Sequence, residues 1–293
     1  MKTIAYYPGC TLKNTAKNFE DSALCALDRL GYEAKELARW NCCGTVFSLA
    51  TDDLMHHVAP IRNLVRAKEA GSDTILTLCA MCYNTLKRAN ERVKNDAESL
   101  EKINNFMDTE TVKYAGDVRV LHLLEILRDE LTFPVLAGKV VKKPNGLKVA
   151  NYYGCLLVRP KSVGLDDQEN PIVLEDLMTA LGIESVEFPY KTECCGAYQT
   201  VDEPKAVADR TYRILSSARR QGADLVTVSC PLCAFNLDQR QKQAALLFAD
   251  FEPLPVVYFT QLLALGLGCP EDRMRFDLHY VDPRPVLKKK GVL

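Results

Sequence analysis

The chain has almost no net charge to spend on a polyanion: 37 Lys and Arg stand against 38 Asp and Glu in 293 residues. Apart from Lys288-Lys289-Lys290 there is no basic block, so nothing would track a phosphate backbone and nucleic acid is not an expected partner. No run approaches the roughly 18 consecutive apolar residues of a membrane span. The opening Met1-Lys2-Thr3-Ile4-Ala5-Tyr6-Tyr7-Pro8 reads as a short strand entering a turn, without the long apolar core and small-residue cleavage site of a secretory leader. The expected compartment is the cytoplasm, where thiols stay reduced unless they bind metal or do redox work. Two further motifs are missing. Without Gly-x-Gly-x-x-Gly there is no sign of a flavin or nicotinamide site, and without Cys-x-x-Cys-x-x-Cys there is no bacterial-ferredoxin binding run. A globular chain of this length buries about 75% of its unfolded surface, so no disulfide framework is expected.

Against these absences stand 12 cysteines. Ten of them form two copies of one pattern: Cys10, Cys42, Cys43, Cys79 and Cys82, then Cys155, Cys194, Cys195, Cys230 and Cys233. In each copy a lone cysteine follows a glycine (Gly9, Gly154), a Cys-Cys-Gly triplet comes next (Gly44, Gly196), and Cys-x-x-Cys closes the set. The copies are offset by 145 residues at the lone cysteine, 152 at the pair and 151 at Cys-x-x-Cys. A lone Cys-x-x-Cys says little; two aligned sets of five specify an internal duplication.

The surrounding sequence repeats as well. Both Cys-x-x-Cys motifs follow short apolar, β-branched runs, Thr74-Ile75-Leu76-Thr77-Leu78 and Leu225-Val226-Thr227-Val228-Ser229, the composition of strands buried on both faces of a parallel sheet. Residues 83–105 and 234–248 read as the helices that follow, which places Cys82 and Cys233 near helix amino termini, where the dipole favours thiolate. Residues 4–7 and 147–153 read as opening strands, and the helices after them end at Gly31 and Gly182. Residues 118–131 and 256–267 close each unit, and 132–146 reads as a linker. The expected class is α/β: two similar α/β domains related by internal duplication, with the cysteines at the carboxyl ends of strands near the domain interface.

Four thiolates suffice for zinc or an ordinary iron–sulfur cluster, and here each set offers five. Neighbouring side chains on an extended segment point to opposite faces, so an adjacent Cys-Cys pair suits several irons better than one tetrahedral ion. The residues alone favour an iron–sulfur site, with structural zinc and thioredoxin-like exchange at Cys79/Cys82 or Cys230/Cys233 as alternatives.

The double five-cysteine pattern resembles the cysteine-rich CCG domain proteins, whose stand-alone double form is the B subunit of heterodisulfide reductase. The intervening spacers number 31 and 35 residues in the first copy and 38 and 34 in the second. The resemblance covers essentially the whole chain and implies domains at 1–138 and 139–293. It also implies two non-cubane [4Fe-4S] clusters, one on Cys10, Cys42, Cys43, Cys79 and Cys82 and the other on Cys155, Cys194, Cys195, Cys230 and Cys233. By the same resemblance a disulfide is split between the clusters, and electrons arrive from a ferredoxin-like C subunit and, through it, a flavin-containing A subunit. Splitting a disulfide into two thiols takes two electrons and two protons, which matches two one-electron centres facing one crevice. The alternative keeps the clusters as an electron relay in a larger oxidoreductase without a disulfide substrate. The first motif, Cys42-Cys43-Gly44-Thr45-Val46-Phe47, lacks the proline that follows the pair in the methanogen form, which points to a bacterial-type relative.

The remaining candidates read plainly. Cys25 reads as a small core residue and Cys269 as a stray loop thiol. His56 and His57 read as residues of a solvated helix face and His122 as a satisfied core histidine, while His279 carries no signal. The loop 159–170 reads as a solvated excursion rather than a gate. Gly44 and Gly196 are expected to let the backbone pass close to a bulky cluster.

Overall fold

In the computed structural model, which describes residues 1–45 and 54–293, each half of the chain builds one parallel sheet. The first half runs β1 (Lys2–Tyr6), α1 (Lys17–Leu30), β2 (Tyr32–Glu36), α2 (Val58–Glu69), β3 (Thr74–Thr77), α3 (Ala80–Asn95), α4 (Ala97–Phe106), β4 (Arg119–His122), α5 (Leu123–Glu125, continued by the π turn Ile126–Leu131) and α6 (Phe133–Lys139). The second runs β5 (Lys148–Tyr152), α7 (Val173–Ala180), β6 (Glu184–Ser185), α8 (Pro204–Arg220), β7 (Leu225–Val228), α9 (Pro231–Ala234, continued by the π turn Phe235–Gln239), α10 (Gln241–Leu247), β8 (Val256–Tyr258), α11 (Phe259–Gly266) and α12 (Arg284–Lys289). The strand orders are β2-β1-β3-β4 and β6-β5-β7-β8, with every pairing parallel. The two-domain α/β class expected from the duplication is therefore the observed one. Val46 and Phe47 of the first Cys-Cys-Gly motif lie outside the described residues.

Local chemistry sets the element ends. Gly31 takes φ +87°, and its N–H returns to the carbonyls of Asp28 and Leu27, closing α1 where the sequence placed the cap. The helix expected over 83–105 is broken at Asp96. That residue leaves helical geometry and accepts the Ser99 N–H at 3.0 Å, so its preference for the cap position starts α4 afresh. The stretch 132–146 is more than a linker: α6 forms within it, opened by Pro134 in its first turn and anchored by fully buried Leu136.

The two sheets are held together by exchanged helix contacts. Helix α1 of the first half packs on α11 of the second. Phe19 stacks on Tyr258 with ring centroids 4.2 Å apart and meets Phe259 edge-on at 5.9 Å, while the Ser22 and Thr260 hydroxyls bond at 2.7 Å. Reciprocally, α6 of the first half packs on α7 of the second. Among the described residues no helix is long and apolar enough to cross a membrane.

Cys25 on α1 and Cys269 just beyond α11 are disulfide-bonded across a sequence separation of 244. This corrects both sequence readings of these residues. The α1–α11 contact that brings them together belongs to neither repeat alone, so no spacing rule could pair them. Closing so long a loop is expected to stabilise the oxidised chain by roughly 2–5 kcal/mol. Reduction should lower the thermal midpoint of the wild type by about 5–10 °C, whereas the midpoint of a Cys25→Ser/Cys269→Ser chain should not respond to reductant.

His122 is fully buried, as the sequence suggested. Its Nε2 lies 2.7 Å from the Leu78 carbonyl and its Nδ1 3.2 Å from the Leu124 N–H, so the neutral ring with hydrogen on Nε2 satisfies both. Desolvation lowers its pKa to about 4, against the opposing pull of the Leu78 carbonyl. A depressed folded-state value means that the unfolded chain binds more protons between about pH 6.5 and 4. Stability should therefore fall as pH drops through that window, by on the order of 3 kcal/mol from this residue. Denaturant melts of wild type and His122→Gln across the window would check it, the variant losing that part of the slope.

Candidate functional site

In a sheet ordered 2-1-3-4 the connections leave in opposite directions from the two central strands, and ligands collect at the crevice this opens beyond their carboxyl ends. Cys10 follows β1 and Cys79 follows β3, the two strands that flank the crevice in the first sheet. Cys155 and Cys230 follow β5 and β7 in the second. Cys79 and Cys230 are the cap residues of α3 and α9, so Cys82 and Cys233 fall in the first turns of those helices. The Cys-Cys pairs enter from the loops after β2 and β6. Topology thus brings the members of each set together.

The sets differ in access. Cys10 and Cys42 are exposed and Cys155 and Cys194 half-buried, while Cys43, Cys79, Cys82, Cys195, Cys230 and Cys233 are buried. The Cys10 and Cys42 sulfurs lie 3.8 Å apart, and those of Cys195 and Cys233 3.5 Å apart. Two thiolates on one tetrahedral metal sit ~3.8 Å apart, given metal–sulfur bonds of about 2.3 Å. Among the described residues, however, no three Cys, His, Asp or Glu side chains converge as ligands of a single ion. Each set offers five sulfurs, one more than the four that a tetrahedral zinc takes.

Thiols this crowded cannot all ionise unaided. The proton that Cys42 shares with Cys43 raises Cys42 and draws Cys43 well down. Cys82 is raised by Cys43 and Cys79, and Cys233 by Cys195 and Cys230. Cys155 is raised by Cys194, which itself falls to about 6 through Cys155, with help from the Gly196 N–H 3.3 Å away and from Arg210. The helix starts were expected to favour thiolate at Cys82 and Cys233. Adjacent sulfurs outweigh the dipole there, and the acidified thiols are Cys43, Cys194 and Cys230. A cationic iron–sulfur core would relieve this repulsion.

The backbone at Gly44 and Gly196 runs beside sulfur, its N–H groups reaching Cys42 and Cys194. Gly44 and Gly196 adopt φ +77° and +79°, but an added Cβ would meet Ala59 or Val207 rather than sulfur. They turn the chain after the pair and pack it on α2 and α8. At Gly9 and Gly154, with φ +74° and +66°, it is the missing side chain that matters, because a Cβ would lie 2.9 Å from the Cys82 sulfur and 3.2 Å from that of Cys233. Beneath them, Tyr7 and Tyr152, both fully buried, donate their hydroxyls to the carbonyls of Asn41 and Glu193, at 2.9 and 2.6 Å. Those carbonyls immediately precede the Cys-Cys pairs. The repeated Tyr-x-Gly-Cys spelling was the available sequence signal for this pair of tyrosines.

The two sets face each other. The Ala80 N–H donates to the Ser229 carbonyl at 3.1 Å, tying the two Cys-x-x-Cys turns together, and the Cys79 and Cys230 thiols interact across that junction. A narrow, mainly apolar pocket at the second set is lined by Tyr153, Leu156 and Tyr198 and also by Ala80 and Met81 of the first half. The hydroxyls of Thr77, at the end of β3, and of Ser229, just after β7, are buried without a hydrogen-bond partner among the described residues. Loop 159–170 exposes residues 160–162, 167, 169 and 170, in keeping with a solvated excursion, but it is tethered at its base: the Leu156 and Arg159 carbonyls accept from Asn84 at 2.8 and 2.6 Å, and the Leu165 carbonyl accepts from Arg128 at 2.9 Å. Those bonds cross the two halves. His56 and His57, read as solvated, are half-buried on the turn Met55–His57 before α2.

Alanine at either sulfur-facing glycine should damage the site. A side chain in left-handed backbone costs about 1 kcal/mol, and the new methyl group displaces a sulfur. Gly9→Ala, the tighter position, should lose more bound metal and melt lower than Gly154→Ala, measured as metal per chain and by thermal denaturation.

Comparison with known proteins agrees with this geometry. Residues 4–87 and 149–238 each match the cysteine-rich domain family CCG. The chain is 32% identical over 282 residues to the membrane anchor subunit of the 8-methylmenaquinol:fumarate reductase of Wolinella succinogenes, covering 96% of this chain and 98% of that one. It is 30% identical over 293 residues to the B subunit of the ferredoxin/F(420)H(2)-dependent CoB-CoM heterodisulfide reductase of Methanosarcina acetivorans, covering 99% and 97%. A hypothetical protein from Helicobacter pylori shares the fold, with a TM-score of 0.75 at 14% identity over 95% of this chain, which spans about half, 52%, of that protein. The chain belongs to the cysteine-rich CCG domain family, in the duplicated form it shares with the B subunit of heterodisulfide reductase.

Proposed function

We propose that this chain is the component of a heterodisulfide reductase-type complex on which a disulfide is reduced to two thiols. In this reading Cys10, Cys42, Cys43, Cys79 and Cys82 hold one non-cubane [4Fe-4S] cluster and Cys155, Cys194, Cys195, Cys230 and Cys233 the other, with 1–138 and 139–293 as the two domains. The observation that carries it is the face-to-face placement of the two sets, joined at Ala80 and Ser229. Two iron–sulfur clusters, each passing one electron, would supply the pair of electrons that an S–S bond needs. The overall change balances as RSSR′ plus two electrons and two protons giving RSH and R′SH.

The chain's own residues shape the rest. Gly9 and Gly154 leave room beside the Cys82 and Cys233 sulfurs. Tyr153, Leu156, Met81 and Tyr198 give the second set an apolar wall, which would keep water from the sulfurs it covers. Tyr198 also donates its hydroxyl to the Thr45 carbonyl at 3.0 Å, holding the two halves across the entrance. No dinucleotide-binding fingerprint is present in the sequence, so the electrons come from partners, a ferredoxin-like C subunit and through it a flavin-containing A subunit.

The likeness to the Wolinella protein favours a second reading, in which the same clusters relay electrons within a larger oxidoreductase. Iron and acid-labile sulfide per chain after anaerobic purification, followed by electron paramagnetic resonance with and without added thiol, separates the two. We expect roughly eight irons and an oxidised-state signal that changes with thiol. Eight irons with a thiol-insensitive signal would leave the relay, and zinc without sulfide would overturn both readings.

A further inference from the structure

The repeat places one tyrosine in an equivalent position under each cysteine set. Tyr7 directly follows β1 and Tyr152 ends β5, each two residues before the sulfur-facing glycine. Each ring lies directly under its glycine: an added Cβ would meet the Tyr7 ring 3.6 Å away at Gly9 and the Tyr152 ring 3.4 Å away at Gly154. Each hydroxyl then spans to the opposite loop and donates to the carbonyl just before the Cys-Cys pair. One rigid side chain therefore couples the two loops that deliver the lone cysteine and the pair. Neither tyrosine touches solvent.

The two loops are otherwise held by different means. In the first half Asn63 accepts the Asn41 N–H at 2.9 Å and donates to the Asn41 carbonyl at 3.0 Å. In the second half Arg210 donates to the Cys194 carbonyl at 2.7 Å and Asn236 to the Cys195 carbonyl at 2.9 Å. The tyrosine is the brace that both repeats keep while the neighbouring contacts differ, which is what a shared geometric requirement would leave behind.

We infer that Tyr7 and Tyr152 are positioning residues, each using its hydroxyl to hold the Cys-Cys loop of its own repeat in register with the lone cysteine. This rests on the reading that each five-cysteine set acts as one metal-binding unit. Burial raises both phenols far above their usual range, and the charge of the surrounding sulfurs adds to it, so each hydroxyl stays a donor throughout the working pH range.

Removing only the hydroxyl tests this, since Tyr7→Phe and Tyr152→Phe keep the rings. The purified full-length chain, carrying its metal, is exposed to a ferrous chelator, and cysteines released over time are alkylated and mapped by mass spectrometry. Losing one buried hydrogen bond corresponds to about a fivefold faster release. Tyr7→Phe should speed labelling of Cys42 and Cys43 by about that factor and leave Cys194 and Cys195 at the wild-type rate. Tyr152→Phe should do the reverse. Unchanged labelling, or equal acceleration at both sets, would overturn the inference, because a merely structural role loosens the whole chain. If the wild type retains no iron, the cluster reading fails instead, and the same labelling of the metal-free chain still decides the tyrosines by whether the change is confined to one set.

Discussion

Crowding of sulfur at the ends of parallel strands is the constraint around which this molecule is arranged. Five thiols gathered in one crevice repel one another as anions and compete for protons as neutral groups. Their arrangement is tolerable only where the backbone can be brought close without side chains intervening and where something cationic can enter. The 2-1-3-4 strand order supplies the crevice, the left-handed glycines supply the clearance, and buried tyrosines brace the loops. Each of these devices occurs twice, at equivalent positions, so the duplication preserved a local solution rather than only a fold.

The second constraint is that the two solutions face each other. The Ala80–Ser229 bond and the Cys79–Cys230 approach exist only because the halves clasp reciprocally, α1 against α11 and α6 against α7. The clasp combines aromatic stacking at Phe19, buried hydroxyl pairing at Ser22 and Thr260, and the covalent bridge from Cys25 to Cys269. Asn84 and Arg128 reinforce it by binding the loop after Cys155. A single half would lack this junction; the pair sets the second group of sulfurs against Ala80 and Met81 of the first half. In the proposed reaction that meeting would give a substrate two redox partners at once.

The cysteine sets, their membership in two repeats and the parallel α/β class were legible because ligand spacing and strand composition are local properties, repeated with nearly constant offset. Helix ends at Gly31 and Gly182 were legible for the same reason. The break at Asp96 and the helix inside 132–146 were missed because a cap and one buried leucine outweighed the apparent continuity of neighbouring segments. The clearance that Gly9 and Gly154 leave for the Cys82 and Cys233 sulfurs was not read from the sequence, since all four glycines take positive φ and only the space around them tells them apart.

The sequence by itself therefore determined which residues gather and how many times, because a repeated pattern of thiols, glycines and β-branched strands dictates its local structure wherever it occurs. The tertiary structure decided what the gathered residues face. The Cys25–Cys269 bridge, the meeting of the two Cys-x-x-Cys turns at Ala80 and Ser229 and the tyrosine braces all depend on distances between segments far apart in the chain. Such distances are set by how helices and sheets pack, and one strand of sequence carries no direct record of them.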